Sequence, residues 1–245
     1  MYRSLRALKQ GSDEMIFDLR DYEGLEEILF SPTVAVEAKS LARHFPLVWR
    51  RIEDKFEFVA LLSLSPLVVG ANHLLAPGLT RPLLMEAYPF AISVAAGEDG
   101  QSAVLIEAAV PKQERQGTAV FESSGSFTGP AAHRMNALRV FASDRDRTAA
   151  YTQALAAEGL LEDWPLRLKI GEDGIEFGGL CVLARAPAQR ERLAKIVTQH
   201  GFPFAELVTF HDLSLFNMQR LVDQHRAGRL AAQATAAQTA SGESA

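Results

Sequence analysis

The sequence predicts an α+β fold, with antiparallel hairpins forming one or two sheets, helices packed on one face and a C-terminal amphipathic helix. Three hairpin-like stretches carry that prediction. LVWRRIE–DK–FEFVALLSL (47–64), FAISVA–AGEDGQ–SAVLIEA (90–108) and LRLKI–GEDG–IEFGGLCVLA (166–184) each place turn residues between runs rich in Val, Ile and Phe. Glycine in such a turn supplies positive φ at no steric cost, and the flanking residues suit a pleated, half-buried surface.

In the first hairpin, Val48, Arg50 and Ile52 alternate before the turn at Asp54-Lys55. GEDG occurs at 97–100 and again at 171–174, and both read as turns, since an EF-hand loop needs ligands across twelve positions. Helices fall between and after the hairpins. Pro32 to His44 reads as a short one, and PLLMEAY (82–88) as two turns with proline at the front. Ser143 opens S-D-R-D, a capping-box-like start to a helix ending at Gly159. Pro187 opens another that ends at Gly201, and the last is expected from 212 to about 228. Phe56, Phe58, Leu61, Phe90, Ile92, Leu105, Ile106, Phe177, Leu180 and Val182 should supply the core.

The expected organisation is an N-terminal extension (1–30), one domain (31–228) and a disordered tail (229–245). The Ser/Gly-rich segment FESSGSFTGPAAHRMN (121–136) reads as a long mobile loop. The tail has no large apolar residue beyond Leu230 to anchor it.

Composition excludes several classes. A net charge of −5, with scattered basic residues, argues against a nucleic-acid surface. The longest apolar stretch, 58–71, is too short to span a membrane and is broken by Pro66. The start MYRSLRALKQGSDEM lacks the apolar run of an export signal, so a cytoplasmic location is expected. Cys181 is the single cysteine, which excludes an intramolecular disulfide and a cysteine-based zinc site, and its apolar surroundings predict a buried structural thiol.

HDLSLFNMQRLVDQH (211–225) invites a catalytic or metal reading. His211-Asp212 has the form of the dyad used by HD phosphohydrolases, but no second motif supplies further ligands among His44, His73, His133 and His200. His225 lies roughly 21 Å from His211 along a helix. The dyad reads instead as a helix start, with Asp212 as cap and Leu215, Met218 and Val222 as a buried stripe beside Phe216 and Leu221. Arg220, Asp223 and Arg226 are expected toward water. No nucleophile elbow, Walker A, dinucleotide fingerprint or HExxH is present. No metal or cofactor is therefore expected, and the reading leans away from an enzyme.

Four stretches together resemble the SapC family of proteobacterial proteins, the surface-layer-associated kind rather than the transporter permease of the same name. FPLVWRRIEDKFEFVALLSL (45–64) is similar to the family's paired strands, and RPLLMEAYPFAI (81–92) to its Y-P-F segment. RTAAYTQALAAEGLLEDWPLRLKIGEDGIEFGGLCVL (147–183) is similar to its helix–hairpin pattern. HDLSLFNMQRLV (211–222) matches its H-L-x-S-L-x-N-x-x-R-L helix at His211, Ser214, Asn217, Arg220 and Leu221. The chain departs from the family where members carry an acidic stretch, around 108–135. The resemblance implies an accessory or binding protein linked to surface-layer export or TonB-dependent outer-membrane uptake, with a protein partner. The alternative expectation is a small-molecule site between the last helix and the YPF segment. Tyr88, His211, Ser214, Asn217 and Arg220 would line it, with Arg220 clamping a carboxylate. The stripe at 211, 214 and 217 has a second reading, in which it binds a strand end or loop within the fold.

Overall fold

A computed structural model describes residues 2–22, 25–65, 78–96, 102–108, 116–171 and 173–242. His73, the first GEDG turn and Glu172 lie outside these residues. The fold is α+β. Among the described residues, twelve strands occur in the order β1 (Leu5–Ala7), β2 (Met15–Ile16), β3 (Phe30–Pro32), β4 (Leu47–Ile52), β5 (Lys55–Leu61), β6 (Phe90–Ala96), β7 (Ser102–Glu107), β8 (Thr118–Ala119), β9 (Leu161–Asp163), β10 (Leu166–Ile170), β11 (Asp173–Phe177) and β12 (Leu180–Leu183). The described residues also form six α-helices: α1 (Ala38–Leu41), α2 (Leu83–Ala87), α3 (Gly129–Ala157), α4 (Pro187–His200), α5 (Phe202–Ser214) and α6 (Met218–Gly242).

The main sheet has the order β3-β5-β4-β12-β9 and a second has β1-β7-β6, with every pairing antiparallel. Period-two alternation sends Leu47, Trp49, Phe58, Ala60, Cys181 and Leu183 to one face of the main sheet, where α3, α4 and α5 supply Leu155, Ile196, Phe204 and Leu207. Val48, Val59, Leu61 and Leu180 face the other way, onto the β10–β11 hairpin and Leu221 of α6. Helices α3, α4 and α5 thus pack on one face of this sheet, and the C-terminal helix α6 lies against the other. A third core joins Phe90 and Ile106 of the second sheet to Met135 and Leu138 of α3.

Several boundaries differ from the sequence expectations for identifiable reasons. The 47–64 hairpin turns one residue earlier, at Glu53-Asp54, with Glu53 at φ 53°. The strand read as 175–184 breaks at Gly178-Gly179, where Gly179 (φ 73°) lets β12 leave the small hairpin and enter the main sheet. The Ser/Gly segment is a turn followed by helix, not a long loop. Phe121 bridges Phe127 with their rings stacked at 5.0 Å, and α3 starts at Gly129 with a proline in its first turn. Ser143 lies inside α3, its hydroxyl donating to the Val140 carbonyl rather than capping. Pro32 ends a strand, which leaves only the four residues of α1 as α-helix in 32–44.

The N-terminal stretch is built into the fold, since β1 pairs with β7 from Leu5 to Ala7. Helix α6 continues to Gly242, through the tail expected to be disordered. Its alanine run has the highest helix propensity of any residue type, a local preference that outweighs the absence of an apolar anchor.

Cys181 is fully buried, and burial pushes its thiol up to about 11. It should resist alkylation in the native state and react only on unfolding, as thiol counting with and without denaturant would measure.

Candidate functional site

The helix that carries His211 begins ten residues earlier than the sequence suggests. Gly201 (φ 73°) separates α4 from α5, Pro203 sits in the first turn of α5, and His211-Asp212 falls in its last turn. Asp212 is therefore not an N-cap. It pairs with Arg185 at 2.8 Å on the surface. A 3-10 turn at Leu215–Asn217 then links α5 to α6.

His211 is fully buried against Trp49, their ring centroids 4.7 Å apart. Its Nδ1 lies 2.7 Å from the Leu47 carbonyl oxygen, and its Nε2 accepts from the Leu183 N–H at 3.2 Å. That pairing requires the neutral Nδ1–H tautomer. Strand β4 pairs with β12 through Arg50–Leu180 and Trp49–Cys181, a register that carried onward brings Leu47 opposite Leu183. The imidazole thus stands in the ladder where the two strands part, satisfying one backbone group of each. Burial lowers its pKa to about 4. With both nitrogens engaged, the ring offers no lone pair to an ion or a proton transfer.

The remaining members of the stripe continue along the same segment. Ser214 Oγ accepts from Leu47 N–H (2.8 Å) and donates to the His211 carbonyl (2.6 Å). Asn217 Nδ2 donates to the Ala42 carbonyl at 2.7 Å. Arg220 places its guanidinium 5.6 Å from the Phe45 ring centre and 3.3 Å from His44 Nδ1, so it covers Phe45 rather than extending to water. Residues three apart drift around the helix, which is why the four side chains follow a chain segment, 42–47, instead of converging on a point. Phe216 projects outward, 83 % exposed, and is not beside the buried stripe. His225 bonds Asp173 at 3.1 Å, and Asp173 also receives Arg229 at 2.8 Å, which fastens α6 to the β10–β11 hairpin.

Tyr88 sits elsewhere, buried in an aromatic group with Tyr2 (5.6 Å, stacked) and Tyr22 (4.8 Å, edge-on). The structure brings His211, Ser214, Asn217 and Arg220 to one segment and leaves Tyr88 in a different group.

Among the described residues, an apolar cavity of about 350 Å³ lies at the junction of the two sheets over α3. None of the five expected residues lines it. Its walls come from Tyr2 and Leu5, Pro32–Val34, Phe56–Phe58, Leu84, Ala91-Ile92, and the α3 face from Leu138 to Thr152. Most of its polar groups are already committed. Tyr2 donates to the Phe90 carbonyl (2.7 Å), Thr148 Oγ1 accepts from Ala35 N–H (2.8 Å), and Thr152 Oγ1 accepts from the Trp49 indole (3.1 Å). Thr33 is buried and its hydroxyl makes no hydrogen bond of ordinary geometry, although it lies near enough to the Glu37 carboxyl to favour the anion.

Beneath this cavity runs a buried carboxylate pair that no motif in the sequence marks. Glu37 accepts from the N–H groups of Val34 (3.1 Å) and Leu83 (2.7 Å), the second at the start of α2. Asp144 accepts from Val36 N–H (2.8 Å) and Thr148 Oγ1 (3.3 Å) and pairs with Arg147. Burial pushes Glu37 up to about 7, against the pull of its two N–H donors. Glu37 reaches back to the N–H three residues before it, but Val34 has no side-chain acceptor, so the S/T-x-x-E signature of a capping box is missing.

A model of the SapC family matches residues 15–221, well over half of the 245-residue chain. The chain belongs to the SapC family. The match reaches past Arg220, so the strand-fastening stripe lies inside the SapC region. No curated protein and no solved structure matches the chain. No described helix of this SapC protein is long and apolar enough to cross a membrane. Among the described residues, no group of three or more His, Cys, Asp or Glu side chains could hold a metal ion.

Proposed function

We propose that this SapC protein is a non-catalytic binding protein whose ligand seat is the cavity between the two sheets and α3. One observation carries the reading. Phe56, Phe58, Leu138 and Phe141 help to line a half-open, mainly apolar pocket of about 350 Å³, a size within the usual range of small-molecule sites. The chemistry available there is recognition rather than turnover, because the buried carboxylates below it are engaged in holding backbone N–H groups.

The SapC resemblance supplies a setting for such binding: an accessory role, in the cytoplasm, beside surface-layer export or TonB-dependent uptake, acting through a protein partner. Occupancy of the cavity could report ligand supply to that partner. Recovery of envelope or receptor components with the native protein as bait, against only random proteins, tests that setting.

Titration with the neutral dye Nile red tests the cavity itself. Wild-type protein should enhance its fluorescence saturably, and Ala142→Trp, which fills the α3 wall, should weaken binding at least tenfold with little change in Tm. Phe216→Ser, far out on the 3-10 turn, should bind as wild type. No saturable binding, or binding lost only in Phe216→Ser, would overturn the proposal.

A further inference from the structure

Resting on that reading, we infer that the cavity selects amphiphiles with an anionic end, the apolar body lying among the phenylalanines and the anion meeting Arg145. The walls bear two charged side chains, Glu57 from β5 and Arg145 from α3. Their surroundings differ in a way that decides the sign.

Arg145 is half-exposed at the rim, and its acidic neighbours do little to neutralise it. Asp144 is committed inward to Val36, Thr148 and Arg147. Asp146 meets Arg145 Nε at 3.4 Å but is 90 % exposed, and a solvated pair of adjacent residues contributes little. The guanidinium therefore keeps its fork of donors for a carboxylate, sulfonate or phosphate group.

Glu57 sits opposite Arg50 across the β4–β5 ladder, yet the Arg50 guanidinium lies over the Phe30 ring at 5.1 Å. Burial raises the Glu57 pKa, and the Arg50 charge offsets that only in part. Burial against apolar walls disfavours the charged form of a carboxyl, whereas the rim guanidinium keeps its charge.

The Tyr2 hydroxyl donates to the Phe90 carbonyl and Thr148 Oγ1 to Asp144, so neither presents an unsatisfied donor to the apolar part of the ligand. Affinity thus comes from the apolar body and discrimination from the rim.

Displacement of Nile red by decanoate, decylamine and 1-decanol reads the head-group preference directly. Decanoate should compete at least tenfold more strongly than decylamine and more strongly than decanol. Arg145→Ala should remove that advantage while leaving decanol unchanged, Arg145→Lys should retain part of it, and Glu57→Gln should hold or strengthen decanoate. Equal competition by all three, unaffected by Arg145→Ala, would overturn the anionic class while leaving the cavity itself intact. A preference for decylamine that Glu57→Gln abolishes would replace it with a cationic class. If Nile red binding does not respond to Ala142→Trp, the failure lies with the cavity reading instead.

Discussion

Replacing His211 by alanine should destabilise the native protein by about 3–5 kcal/mol, the largest effect expected of any single substitution here. The substitution leaves the Leu47 carbonyl and the Leu183 N–H facing each other across a gap they cannot close. Each buried, unsatisfied backbone group costs roughly 1–3 kcal/mol. The ring's contact with Trp49 is lost as well, in a position with no access to solvent. Urea denaturation should show the midpoint falling without a change in slope. A loss below about 1 kcal/mol would mean that water or a strand shift repairs the ladder, and that the imidazole is not what joins β4 to β12.

The second large effect appears in the pH dependence of stability. His211 titrates near 4 in the folded protein against its ordinary 6.5, so the unfolded chain binds the extra proton between those values. Its contribution is complete above pH 6.5 and is lost as pH falls toward 4, at about 1.4 kcal/mol per unit. Glu37 works in the opposite sense. Raised from 4.5 to about 7, it keeps its proton in the folded state, so its effect on stability falls as pH rises through that window. The two slopes cancel from about pH 4.5 to 6.5. Glu37→Gln removes one of them. The stability difference between wild type and Glu37→Gln should therefore shift by about 3 kcal/mol from pH 4.5 to pH 7, with wild type losing relative ground as pH rises. Other titrating groups drop out of that difference. A constant difference across the window would show that the two N–H donors hold Glu37 at an ordinary carboxylate value.

The polar stripe of the last helices is legible in the sequence because His211, Ser214, Asn217 and Arg220 recur at steps of three, and one of its two readings was attachment to a strand end. Its helix was placed wrongly because Asp212 precedes an apolar run, the pattern of a cap, whereas Gly201 and Pro203 carry the real start. Hairpins and half of the expected core positions were legible through alternation: Phe58, Leu61, Phe90, Ile106 and Leu180 are buried, whereas Phe56, Ile92, Leu105, Phe177 and Val182 are only partly so. The register that brings β12 beside β4 was not, because it joins residues about 130 positions apart and depends on the Gly178-Gly179 break. The cavity was invisible for the same reason. Its walls come from six separate stretches, none of which has a pattern of its own, and the carboxylates beneath it act singly on backbone groups.

A crystal structure with a terminally brominated decanoate tests the binding account most directly. The bromine's anomalous signal should lie within the cavity, between Phe58 and Phe141, with the carboxylate toward Arg145. A signal confined to the exposed surface around Phe202 and Phe216, with the cavity empty of ligand, would contradict it.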